Sequence, residues 1–111
     1  MATVNDVFIR ARALLDEYTD DGVVISESEI IDMQKKAIIF CDMVNKELFD
    51  IAKTGTQETP TEISELTDYM DINYKGILAS SYYVAGKLAM YENKEIVPLL
   101  DSEYSRLKRL C

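Results

Sequence analysis

A small all-α bundle of about four helices is the fold this sequence predicts, on three observations. The 111 residues are 48% hydrophobic, enough for one real core, yet include only four glycines and two prolines. Long stretches therefore run without turn signals, which disfavours a many-stranded sandwich. Apolar residues recur at spacings of three and four along most of the chain, the period of helices with one buried face. A core of this size rarely divides, so residues 1–111 read as a single domain.

The first helix is expected from about Val4 to Tyr18, with Thr3 as its N-cap and Asp6 favourable in its first turn. Val4, Val7, Phe8, Ala11, Leu14, Leu15 and Tyr18 form its apolar stripe, while Arg10, Arg12, Asp16 and Glu17 face outward. "TDDG", residues 19–22, closes it with turn chemistry.

Ser26 and Glu29 have capping-box spacing and open a second helix that runs to about Lys53, before Gly55. At about 100° per residue, Ile30, Met33, Ala37, Phe40, Cys41, Val44, Leu48, Ile51 and Ala52 share one broad face. Charged residues from Asp32 to Lys53 fall opposite. Ile39 and Met43, one turn apart, break the pattern by pointing out among those charges.

Residues 54–70 form a polar connector that Gly55 and Pro60 prevent from being one helix. Such length is unusual within a compact bundle and usually marks a functional or mobile loop. Mobility is expected over 54–62. Ile63 and Leu66 are candidate anchors, as a short strand or a helical turn.

A third helix is expected from near Asp71. It contains the least polar stretch, "GILASSYYVAGKLAMYE", residues 76–92. Apolar residues lie on nearly every side, and only a wedge around Ser80 and Lys87 looks wet. Such a helix is buried, inside its own domain or against other subunits. Gly76, Ser81, Ala85, Gly86 and Ala89 are small enough for close helix approach. The central helix of a bundle explains most of this pattern, although the short first helix leaves little chain to cover every side. A fourth helix runs from about Ile96 to Leu110, with Ile96, Leu99, Leu100, Tyr104, Leu107 and Leu110 as its stripe. Pro98 is tolerated only in its first turn, placing the boundary near Asn93 to Glu95.

The composition limits the chemistry. The chain has no histidine, which removes Ser–His and Cys–His nucleophiles and histidine metal sites. Glycines at 22, 55, 76 and 86 match no phosphate loop. The acid clusters at Asp16, Glu17, Asp20 and Asp21, and at Asp68 with Asp71, lack calcium-loop spacing and read as solvated helix ends. No enzyme activity, cofactor or metal is therefore expected. Cys41 and Cys111 are too few for a disulfide framework, and Cys41 reads as a small core residue of a reducing compartment. The N-terminus lacks a signal-peptide pattern, and no apolar run is long enough for a membrane span.

A net charge of -8 repels phosphate, so gripping a DNA backbone is not expected, although a wall that DNA slides past is compatible. Arg106, Lys108 and Arg109 complement the end of a helix dipole. The seven tyrosines, with Tyr82 and Tyr83 adjacent, lack the basic surround that base stacking needs and suit helix packing or the rim of an interface.

The helix order, with "ILASSYYVAGKLAMYEN" followed by "IVPLLDSEYSRLKRL", resembles phage head–tail connector (adaptor) proteins, most clearly over residues 71–110. The resemblance implies a structural virion protein at the head–tail junction, assembled in the host cytoplasm. Copies would form a ring of about a dozen subunits, closed by repeated contacts. The ring would sit between the portal protein and tail-proximal proteins, and DNA would pass through it without specific binding. The family has no catalytic motif to match, so the resemblance brings no site residue. The candidate subunit-interface residues are Ile39, Met43, Tyr82, Tyr83, Gly86 and Met90. A competing class is a cytosolic helical protein-binding or regulatory module, with dimerisation open. A third is a small acidic enzyme using paired carboxylates.

Overall fold

The computed structural model, which describes residues 2–18, 27–92 and 94–111, is an all-α bundle. Its helices are α1, Val4–Tyr18; α2, Glu27–Ala52; α3, Tyr74–Glu92; and α4, Val97–Leu110, preceded by a 3-10 turn at Lys94–Ile96. The expected turn at 19–22, the Ser26 cap, Asn93 at the last boundary, and the Glu17 and Tyr18 side chains lie outside the described residues.

Local signals at the helix ends explain most of the boundaries. At α1 the cap is reciprocal: Asp6 N–H donates to Thr3 Oγ1 at 3.2 Å, and Thr3 N–H donates to Asp6 Oδ2 at 2.9 Å. The bond from Thr3 N–H is the first cause holding the Asp6 carboxyl below its ordinary range. At α3 the start shifts from the expected Asp71 to Tyr74. Asn73 is the cap, accepting from Gly76 N–H at 2.9 Å on its side chain and from Ile77 N–H at 2.9 Å on its carbonyl. Pro98 sits in the first turn of α4, where its missing N–H costs no helical bond.

The three other helices surround α3. Ile77, Val84, Ala85, Leu88 and Ala89 are buried within the same chain, which answers how so apolar a helix is covered. The expected wet wedge at Ser80 is corrected. Ser80 is fully buried, and its hydroxyl tolerates this by donating to Gly76 O at 2.8 Å, so it needs no water. Ser81 does the same to Ile77 O at 3.0 Å. Lys87 stays half-buried, its ammonium 5.3 Å from the centre of the Tyr83 ring.

Three further expectations are corrected by packing. Ile51, Leu99 and Leu110 are exposed although periodicity put them on buried stripes. Conversely, Asn45 and Phe49 are buried on α2. Arg12 is half-buried rather than fully outward.

The connector is the most ordered surprise. Asp71 is only 5% exposed, and its carboxylate accepts from Thr61 N–H at 2.6 Å, Thr61 Oγ1 at 3.0 Å and Asn45 Nδ2 at 3.1 Å. Its own N–H donates to Asn45 Oδ1 at 2.9 Å, and its carbonyl accepts from Thr54 N–H at 2.9 Å. Residues 66–73 then lace the bundle together. Leu66 and Asp68 carbonyls accept from Asn5 and Val4, Met70 N–H donates to Ala2, and Asn73 N–H donates to Ala52 O at 2.7 Å. Ile63 is buried in irregular backbone, whereas Leu66 is half-buried in a single hydrogen-bonded turn, Asp68 N–H donating to Glu65 O at 3.2 Å. Asp68 holds that bend by accepting from Ser64 and Glu65 N–H.

Candidate functional site

The candidate residues fall in three places rather than one. Ile39 and Met43 lie on the outward face of α2, 59% and 46% exposed. On a wheel of about 100° per residue, Asp32, Lys46 and Asp50 fall within about 20° of Ile39, and Met43 about 40° from it. The apolar pair is thus bracketed by a carboxylate seven residues before Ile39 and another seven after Met43. Asp32 is held by Lys36 at 2.9 Å. Beside Met43, Lys46 bridges Asp42 at 3.0 Å and Glu62 of the connector at 3.2 Å. These bonds, that to Asp42 first, raise its pKa.

Tyr83 and Gly86 belong to the contact between α3 and α4. The Tyr83 ring meets Tyr104 edge-on, with centroids 5.1 Å apart. Gly86 faces α4 of its own chain, where a Cβ would stand 3.0 Å from Asp101 Oδ1 and 3.6 Å from Leu100 Cβ. Tyr104 Oη is buried without a partner in hydrogen-bond geometry. Burial, and then the nearby Glu47 carboxylate, push its pKa up. Met90 is exposed near the end of α3, next to Tyr91, whose ring receives the Lys36 ammonium at 3.9 Å.

Tyr82 is half-buried and lines a groove between α1 and α3 that periodicity did not reveal. Its wall takes Arg10, Ala13 and Leu14 from one helix and Tyr74, Leu78 and Ser81 from the other. The adjacent tyrosines were a weak signal for it, but the α1 half of the wall looked like an ordinary helix flank.

Among the described residues no three His, Cys, Asp or Glu side chains converge as a metal-ligand set, and no helix is long and apolar enough to cross a membrane. Cys41 is fully buried, and desolvation pushes its thiol pKa up to about 12, so it packs rather than reacts. The Asp71 carboxylate is committed to holding the connector. Burial alone would raise its pKa, but the bonds from Thr61, Asn45 and Gln57 outweigh that and hold it below its ordinary range. Candidate residues reach solvent on two surfaces, the outward face of α2 and the groove beside α3, and Met90 does so near the end of α3. No family model matches the chain, and neither a curated protein nor a solved structure matches it.

Proposed function

We propose that this chain is a structural virion protein, one subunit of a ring between portal and tail of a long-tailed phage. In that role it extends the DNA channel and supports tail attachment. The observation that carries the reading is the outward face of α2, where Ile39 and Met43 stack one turn apart in solvent. The opposite face of α2 is committed to the core through Met33, Ala37, Cys41, Val44 and Leu48, which leaves about half of each of these two side chains open to solvent. Single exposed apolar residues are ordinary. A stacked pair on a rigid helix is a contact patch, and the likeness in helix order to head–tail connector proteins supplies the kind of assembly.

The test is the double change Ile39→Lys with Met43→Glu. The variant keeps its helical content and melting temperature but fails to join particles that carry a portal, as measured by co-sedimentation. Normal incorporation overturns the reading. Loss of the fold would place the pair in the core and overturn it as well.

A further inference from the structure

The groove between α1 and α3 complements the α2 face on the same chain. Its wider part, about 380 Å³, is walled mainly by Ala13, Leu14, Leu78 and Tyr82, with Tyr74 standing at the edge and 68% exposed. It continues past Arg10 and Tyr74 toward Ile72 and Thr54. Arg10 is the charged residue of this lining, with the Asp6 carboxylate one turn before it on α1. Such a site suits an amphipathic helix that offers apolar anchors one turn apart and a carboxylate on the same face.

The outward face of α2 has that pattern: Ile39 and Met43 as anchors, and exposed Asp50 aligned with them, while Lys46 between them is paired with Asp42 and Glu62. Neither anchor lines the groove of its own chain. We infer that the α2 ridge of one copy seats in the α1–α3 groove of a second copy, Ile39 and Met43 entering beside Tyr82 and Asp50 approaching Arg10. The inference rests on the assembly reading above and specifies its contact. Because ridge and groove are different surfaces, each copy keeps one of each free, so the contact propagates head to tail instead of closing as a two-fold dimer. Two anchors bury far less than the roughly 1,200 Å² of a stable interface. The contact is therefore weak between isolated copies and strengthened by assembly.

Disulfide trapping tests this in the full chain. Met43→Cys and Ala13→Cys are made separately in a Cys111→Ser background, leaving the buried Cys41, and both positions are exposed. On mild oxidation at high protein concentration, each variant alone stays monomeric, and their mixture forms a dimer joined through the two introduced thiols. A chain carrying both changes forms a ladder of multimers. Arg10→Glu lowers the mixed cross-linking by about fivefold, the size of an exposed ion-pair effect, and Asp50→Arg on the other component restores it. Dimers of the Met43→Cys variant alone would overturn the ridge-in-groove pairing while leaving assembly through α2 intact. A mixture that cross-links no faster than a Glu58→Cys control would overturn the pairing too. Whether the assembly reading itself fails is read separately, from particle incorporation of the Ile39→Lys/Met43→Glu variant.

Discussion

Asp71 and Asn45 show how one buried pair organises a connector that is polar almost throughout. Each is nearly inaccessible, and neither has a cation as its partner; the carboxylate is satisfied by the neutral donors of Asn45 and Thr61. Replacing Asp71 by Asn turns one acceptor into a donor that faces the Thr61 N–H or Asn45 Nδ2. The expected loss is about 1–3 kcal/mol of unfolding free energy, the cost of a buried polar group left unpaired. Exposed Asp50→Asn, by contrast, stays within about 0.5 kcal/mol, and urea unfolding of both checks the contrast. The pH dependence has a fixed sign. Because the folded pKa of Asp71 is lowered, the clasp contributes fully above the unfolded value of about 3.9 and is lost as pH falls through the folded value. The stability gap between wild type and Asp71→Asn is therefore constant from pH 7 to about 5 and shrinks below about 4. The sequence could not announce this pair. Asp71 looked like the start of a helix, and nothing in local periodicity marks Asn45 as the partner of a residue 26 positions later.

At the scale of elements, the apolar period located all four helices because one face of each is buried over most of its length. It failed where a neighbour without periodicity does the covering. Along the C-terminal half of α2 the connector packs on the side of Asn45, with Ile63 N–H donating to Asp42 Oδ1 at 3.1 Å and Asp71 bonded to Asn45. The buried face turns accordingly, taking in Phe49 and leaving Ile51 at its edge. The connector itself divides in two. The backbone N–H groups of Thr54 and Thr61 are both tied to Asp71, while residues 55–59 between them are exposed and of these the Gln57 side chain reaches the Asp71 carboxylate. Amide exchange is expected to be fast over 55–59 and slowed at Thr54 and Thr61, narrowing the mobility that composition alone assigned to the whole of 54–62. The two glycines of α3 separate in the same way. At Gly76 a Cβ would stand 3.0 Å from Ile72 Cβ and 3.2 Å from Ala52 Cβ, atoms fixed close to backbone, so Gly76→Ala destabilises by about 1–3 kcal/mol through overpacking. At Gly86 the nearest atom is the end of the Asp101 side chain, which can swing away. Gly86→Ala is neutral or stabilising by up to about 1 kcal/mol, the gain in helix propensity. Thermal melts check the contrast: the midpoint falls for Gly76→Ala and is unchanged or raised for Gly86→Ala.

For the whole molecule, the balance of charge bears on what passes beside it. The chain carries 20 acids against 12 bases, and the one basic cluster in its sequence is largely spent within the fold. Lys108 binds Glu47 at 2.7 Å across two helices, and Arg106 binds Glu103 at 2.9 Å. Both pairs are solvent-exposed, so they contribute little to stability. Their consequence is electrostatic: the end of α4 offers phosphate only partly neutralised cations. Sequence alone gave the net charge and the position of the cluster, but not these partners, because Glu47 lies 61 residues from Lys108. Duplex DNA titrated with the protein at about 50 mM salt, where phosphate contacts are strong, is expected to show no anisotropy change. Glu47→Gln combined with Glu103→Gln frees the cations and lowers the net charge from -8 to about -6. Weak binding then appears and fades as salt is raised toward about 200 mM, the sign of counterion release. Binding by the unmodified chain at low salt would contradict the idea of a wall past which DNA slides. Its absence in both proteins would show that the acids elsewhere on the surface, rather than these two pairs, keep phosphate away.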